Sequence, residues 1–319
     1  MKKGKRYVLV LVALFALSSI ILTGCKAVSL TPPTFGGTHT TKKSKDKLKV
    51  GVSLSTLSNP FFISVRNGIN GVAKQNGTKT EVFDAQNDSS KQSSDIEDLI
   101  QKKVDVIIIN PVDSDAIVPA VKDANNAGIP VIACDRGSNG GKLLTTVASD
   151  NVKAGKMAAQ YMMSKVPKGG QVAELEGTPG ADAAIQRGKG FNTAAKNNLK
   201  IVTKQSADFD RAKGLSVMEN ILQAHSSIQG VFAQNDEMAL GAVKAINNPD
   251  LVVVSIDGEP QGLTAVKQGK ISGIIAQSPE VEGQLAIKAA YAHYQGKSVP
   301  KHTTSPIHLV TKENVSKYK

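Results

Sequence analysis

Tryptophan is absent from this 319-residue chain, cysteine occurs twice, and the aromatic rings are eight Phe and five Tyr. With so few rings, any local cluster of them is informative, and two cysteines leave little room for a disulfide framework. Acid is the scarce charge: 27 Asp and Glu stand against 39 Lys and Arg, a net charge of +12. Residues 1–46 hold eight of the basic side chains and one acid (Asp46), or +7, so the remaining 273 residues carry only 12 − 7 = +5. That removes most of the case for a nucleic-acid partner that a strongly basic chain would raise. Signatures of catalysis are missing too. No Walker loop and no G-x-G-x-x-G follows a strand-like run, and no G-x-S-x-G occurs. His39, His225, His293, His302 and His308 are scattered, without metal-ligand spacing. The chain advertises no nucleophile, metal or cofactor, and the expectation is that it is not an enzyme. Its 40% apolar and 21% charged residues are those of an ordinary globular protein, which excludes collagen-like, disordered and multi-span membrane chains.

The N-terminus has the form of an address. Lys2, Lys3, Lys5 and Arg6 precede an apolar run over 7–22 that is broken only by Ser18 and Ser19. The run is short and early for a membrane span and has the shape of a secretory signal. The following Leu22-Thr23-Gly24-Cys25 resembles a bacterial lipobox, in which the cysteine is acylated and begins the mature chain. The expected layout is a signal peptide over 1–24, then lipidated Cys25 and a flexible tether over 25–47. The body would be extracytoplasmic, anchored by lipid to the outer face of the cell membrane. An ordinary signal peptide cut nearby would leave Cys25 incidental. With Cys25 acylated, Cys134 has no partner; it follows Val131-Ile132-Ala133 and reads as a small buried hydrophobe.

From Leu48 onward, short β-branched runs alternate with longer amphipathic stretches. Strands are expected at 48–54, 79–83, 104–110, 130–134, 145–148, 171–175, 201–205, 230–233, 251–256 and 271–276. Helices are expected at 60–75, 114–127, 151–165, 210–223, 237–246 and 280–295. Asn59-Pro60 places a cap residue before an N1 proline. Runs such as Val106-Ile107-Ile108-Ile109 are apolar on both faces, as parallel strands covered by helices require. The class is α/β with doubly wound sheets, and ten strands suit two sheets better than one.

Ligands of such sheets bind beyond the carboxyl ends of the strands. Those ends are polar almost throughout: Asn110-Pro111-Val112-Asp113, Asp135-Arg136, Asp150-Asn151, Gln234-Asn235-Asp236, Asp257-Gly258 and Gln277-Ser278. Asp, Asn, Gln and Arg gathered with a few Phe suit a neutral polyhydroxylated ligand. Each hydroxyl both donates and accepts, and the C–H faces of a sugar ring rest on aromatic rings.

The segment Ser55-Thr56-Leu57-Ser58-Asn59-Pro60-Phe61-Phe62 resembles the first ligand loop of bacterial ribose-binding proteins, the substrate-binding subunits of sugar ABC importers. The likeness continues in unbroken order to about Val310, through Ala148-Ser149-Asp150-Asn151, Arg187-Gly188-Lys189-Gly190-Phe191, Ala207-Asp208-Phe209-Asp210-Arg211 and Phe232-Ala233-Gln234-Asn235-Asp236. It implies the type I periplasmic-binding-protein fold: two doubly wound parallel-sheet, Rossmann-like lobes joined by a three-segment hinge. One lobe would comprise 48–149 plus 278–307, the other 150–277 plus 308–319. It implies ligand contacts from Ser55, Asn59, Phe61, Phe62, Asp135 and Arg136 in the first lobe. Arg187, Phe209, Asn235, Asp257 and Gln277 would supply those of the second. One departure is Ile256, where the family pattern has an aromatic, and it is expected to loosen one wall. The implied partners are a monosaccharide, ribose first, and an ABC permease with its ATPase; the protein would act as a monomer.

Plainer roles exist for each residue. Asn59 is also a helix cap, Phe62 and Phe209 are also core candidates, Asp257-Gly258 is also a turn, and Arg187 could face solvent. Asp135 and Arg136, as strand-end neighbours, are expected to point to opposite sides. The effector-binding core of a LacI-type repressor shares this fold, but a signal peptide stands where its DNA-binding headpiece would be. Another pentose or hexose, a sugar-like signal, and a co-receptor role stay open at this point.

Overall fold

The computed structural model describes residues 42–318. The expected signal peptide, Cys25 and the tether as far as residue 41 lie outside the described residues. The folded body holds two six-stranded sheets. The first contains β1 (Lys49–Leu54), β2 (Lys79–Asp84), β3 (Val106–Ile109), β4 (Val131–Cys134), β5 (Leu143–Ser149) and β11 (His302–Ser305), in the order β11-β5-β4-β3-β1-β2. Every pairing in it is parallel. The second contains β6 (Gly170–Glu176), β7 (Leu199–Ser206), β8 (Gly230–Ala233), β9 (Val252–Asp257), β10 (Gly273–Ala276) and β12 (His308–Thr311), in the order β12-β10-β9-β8-β6-β7. There only the β10–β12 pair is antiparallel.

Strands β1–β5 and β11 lie in one sheet and β6–β10 and β12 in the other, so the chain passes between lobes three times. The passages fall at 149–151, 276–279 and 305–308. The runs with two apolar faces became sheet centres: β3, β4, β8 and β10 are buried at every position. Alternation along β3 feeds two cores, with Val106 and Ile108 on one face of the sheet and Ile107 and Ile109 on the other. Cys134 is a free, fully buried thiol among such residues, and burial raises its pKa well above the ordinary value.

Helices flank both sheets, and several start on strand-end residues. Asn59, Asp150, Asp210 and Asn235 each accept a backbone N–H of the helix that follows. The helices Asn151–Met163 and Asp182–Ala195 touch backbone to backbone: a Cβ at Gly155 would overlap the carbonyl of Arg187. Helices Pro60–Gln75 and Pro279–Tyr294 do the same at Gly68 and Gly283.

Two expectations shift. The helix expected at 114–127 begins at Val118. Before it, Asp113 Oδ1 accepts the N–H groups of Asp115 and Ala116, which holds the chain in a turn. The expected tether also ends sooner, because residues 43–47 are docked on the first lobe. Lys43 pairs with Asp105 at 2.7 Å and donates its backbone N–H to Tyr294 O. Lys45 Nζ donates to Asn76 Oδ1 at 3.0 Å.

Candidate functional site

The carboxyl ends of both sheets face one cleft, and the lobes are closed on it. Ser114 N–H of lobe 1 donates to Gly180 O of lobe 2 at 3.0 Å, and Gly137 N–H of lobe 1 donates to Asp182 Oδ2 at 2.9 Å. Between the lobes is a small cavity. Nine of the eleven sequence-predicted side chains line it, together with Ala183.

Lobe 1 contributes Asn59, the cap residue after β1, and Phe61 and Phe62 from the first turn of the Pro60–Gln75 helix. Asn59 Oδ1 caps the helix by accepting Phe61 N–H at 2.9 Å, so cap and cavity wall are one residue. The two Phe rings meet edge to face with centroids 5.3 Å apart. Asp135 and Arg136 follow β4, and the expectation that they diverge is wrong. Asp135 has φ of 66°, which breaks strand alternation and turns both side chains into the cavity. Arg136 Nε stands 3.7 Å from Asp135 Oδ2, and both side chains are about 4–5% exposed. Asn110 Nδ2 donates to the same Oδ2 at 3.1 Å, and Arg136 Nη1 donates to Pro111 O at 3.2 Å. Asp135 Oδ1 and Arg136 Nε have no hydrogen-bond partner among the described residues.

Lobe 2 builds a matching pair. Arg187 leaves the Asp182–Ala195 helix inward: Nε donates to Asn151 Oδ1 at 2.8 Å and Nη1 to Gln234 O at 2.7 Å. It is not on a solvated face. Nη1 also stands 3.7 Å from Asp257 Oδ1. Asp257 has φ of 140°, a backbone region rare for any side-chain-bearing residue, and such strain is found at ligand sites. Asp236 maintains it, with Oδ2 accepting the N–H groups of Gly258 and Glu259 and Oδ1 the Ser255 hydroxyl. Asn235 caps its helix and donates Nδ2–H to Phe209 O at 3.3 Å.

The other two expected contacts are not among the residues that line the cavity. Ser55 is fully buried and its Oγ donates to Asn110 Oδ1 at 2.6 Å. Gln277 Nε2 donates to Asp257 Oδ1 at 2.9 Å. Ile256 does not loosen a wall, because it packs in the lobe 2 core with Val254 and Phe232.

Two arginines and two aspartates face the cavity, so their formal charges cancel and a neutral ligand is favoured. Burial raises the pKa of both Asp135 and Asp257, against the pull of Arg136 and Arg187 on the first and of Arg187 on the second. Burial lowers that of Arg136. A ligand hydroxyl donating to either carboxylate would return part of the lost solvation.

The chain matches the family model described as periplasmic binding protein domain over residues 50–298. It belongs to the periplasmic binding protein family. The ribose import binding protein RbsB of Bacillus subtilis (strain 168) is 51% identical over 302 residues, covering 94% of this chain and 98% of that protein. The protein of the same name from Escherichia coli (strain K12) is 42% identical over 268 residues, 83% of this chain and 90% of its own. Among solved structures, an ABC transporter periplasmic solute binding protein from Actinobacillus succinogenes 130z with bound D-allose superposes with a TM-score of 0.79 at 35% identity, covering 85% of this chain and all of that one.

In this periplasmic binding protein the sequence missed the residues that hold the wall in place: Asn110, Asn151, Gln234 and Asp236. Each sits at a strand end already marked as polar, but nothing in the sequence separates a wall residue from its support. A further group links the passages between lobes. Ser149, at the first passage, donates to Glu282 Oε1 at 2.8 Å. Glu282 is fully buried near Ser305 of the third passage, and burial pushes its pKa up to about 8.

Proposed function

We propose that this chain is the sugar-capturing component of an ABC importer, with D-ribose as its ligand. One observation carries the reading: an aspartate–arginine pair from each lobe converges on one small closed cavity walled by phenylalanines. Its walls set a few polar side chains among phenylalanine rings, which suits a monosaccharide with hydroxyl edges and C–H faces. Asp135 Oδ1 and Arg136 Nε, unpartnered among the described residues, offer an acceptor and a donor to ring hydroxyls. The likeness to ribose import binding proteins supports ribose over other sugars.

The mechanism follows from the division of the site between lobes. A sugar bonded to both carboxylates binds the closed form better than the open one, and that differential affinity draws the lobes together. Motion about the three passages would carry Asp257 and Phe209 toward Asp135 and Phe62. The closed form would be what the permease accepts, with its ATPase supplying the work. The sugar is held and not transformed. The signal peptide would end at residue 24 and acylated Cys25 would hold a monomeric receptor to the outer face of the membrane. Lobe 1 would comprise 48–149 plus 278–307, and lobe 2 150–277 plus 308–319.

Calorimetric titration with D-ribose, D-allose, D-xylose and D-galactose tests this. D-Ribose should bind one to one, more tightly than the others, and be recovered unchanged. No heat with any monosaccharide would overturn the reading. Tighter binding of D-allose, the ligand of the Actinobacillus structure, would reassign the sugar within the same function.

A further inference from the structure

The cavity is the inner of two chambers in the cleft. An outer chamber adjoins it, with polar walls that include Thr56 and Asn87 of lobe 1 and Thr178 and Asp210 of lobe 2. Asn59, Phe62, Arg136 and Phe209 line both chambers and so form the partition. The Arg136 guanidinium carbon lies 5.1 Å from the Phe62 ring centre and 5.2 Å from that of Phe209. Asn59, Phe62 and Arg136 belong to lobe 1 and Phe209 to lobe 2, so the partition is complete only when the lobes meet.

The Phe209 ring is fixed in that place by its surroundings. Asp208 and Phe209 have φ of 52° and 58°, a left-handed step that throws the ring into the cleft. Asn235 Nδ2–H on Phe209 O and Thr178 Oγ1–H on Asp208 O hold the step. Behind the ring lies Gly177. A Cβ there would overlap the ring atoms Cζ, Cε1 and Cε2, so the ring keeps its position only because residue 177 has no side chain.

We propose that Phe209, seated on Gly177, is a size filter: it restricts the inner cavity to one unsubstituted monosaccharide and excludes sugars with a substituent on the partition side. This rests on the sugar-binding reading above. A methyl group or second sugar unit pointing at the partition meets the stacked Phe62–Arg136–Phe209 layer. It must then displace that layer or hold the lobes apart, and overpacking of this kind is costly. With the ring removed, the same substituent would reach the polar outer chamber. Phe209 is the specificity-determining residue and Gly177 positions it.

The test titrates the parent protein, Phe209→Ala and Gly177→Ala with D-ribose, its mono-O-methyl ethers and both methyl ribosides. The readout is the ratio of each derivative's affinity to that of D-ribose. In Phe209→Ala the ratio should rise about tenfold or more for at least one derivative. Gly177→Ala should lose D-ribose affinity, and Gly177→Ala with Phe209→Leu should recover part of it. Phe209→Leu serves the same comparison should the alanine variant not fold. A merely structural role would weaken D-ribose and its derivatives alike, and a ratio unchanged for every derivative would overturn the proposal. So would parent-like affinity in Gly177→Ala. A parent protein that binds no monosaccharide would overturn the sugar-binding reading instead.

Discussion

Replacing Asp135 with asparagine keeps the shape of the wall and removes one acceptor. Oδ2 of Asp135 accepts from Asn110 and faces Arg136 Nε, while Oδ1 has no partner among the described residues. An asparagine can satisfy only one side. With its oxygen toward Asn110, its NH₂ meets the sugar hydroxyl that should donate. With its oxygen toward the sugar, NH₂ meets NH₂ at Asn110. Either way a charge-assisted hydrogen bond is lost, worth about 1.5–3 kcal/mol. D-Ribose affinity should fall roughly 10- to 150-fold. Asp135→Ala also strands buried Arg136 and should cost about 2–5 kcal/mol. Stability should respond differently. Burial raises the Asp135 pKa, so its charge is a liability in the sugar-free fold, but that charge also compensates buried Arg136; Asp135→Asn removes both effects, which oppose each other, and should leave the sugar-free melting temperature close to that of the parent. Parent affinity should also fall as the pH drops through the raised Asp135 and Asp257 pKa values, because the protonated acids no longer accept as carboxylates. Calorimetry gives the affinities and a thermal scan the stabilities. An Asp135→Asn affinity within about twofold of the parent would refute the assignment of Asp135 to the ligand, since loss of a charge-assisted bond predicts far more.

Glu282 binds its proton more tightly in the fold than in the unfolded chain, with a pKa of about 8 against 4.5. The stability from that proton is complete below pH 4.5 and is lost as the pH rises toward 8. Glu282→Gln should therefore gain on the parent, on the order of 3 kcal/mol, between thermal scans at pH 5 and pH 8; a constant difference would contradict this. Gly68→Ala drives a Cβ into the carbonyl of Glu280 and should destabilise lobe 1 by about 1–3 kcal/mol or more in denaturant unfolding, with D-ribose affinity of the folded fraction unchanged. Lys74→Ala lies on an exposed helix face and should change neither affinity nor stability measurably; an effect equal to that of Asp135→Ala would mean the site is misplaced. Cys25→Ala should abolish metabolic labelling with palmitate and release the protein from membranes, whereas a labelled, membrane-bound variant would refute acylation at Cys25.

Much of the fold is legible because parallel strands buried on both faces carry a strong signal. Val106–Ile109 and Gly230–Ala233 have no competing interpretation of that length between turn residues. Two of the four edge strands escaped notice for the opposite reason: β11 reads His-Thr-Thr-Ser and β12 His-Leu-Val-Thr, four residues each and partly exposed. They are strands because β5 and β10 supply a ladder, which is tertiary information. The cavity wall is legible because the fold gathers strand ends at one place. What escaped is where individual side chains point. Alternation sends Asp135 and Arg136 apart, but a positive φ at Asp135 overrides it. Ser55 and Gln277 are polar strand-end residues like the others, yet Ser55 Oγ donates to Asn110 and Gln277 Nε2 to Asp257, which sets them beside the lining residues, with Gln277 Oε1 lacking a partner among the described residues.

A crystal structure of the protein with D-ribose at saturation bears on the central claim without intermediates. It should show one sugar ring enclosed between the lobes, with hydroxyls within hydrogen-bond distance of the Asp135 and Asp257 carboxylates together. A sugar held by one lobe alone, or a closed cleft with no sugar in it, would contradict the account.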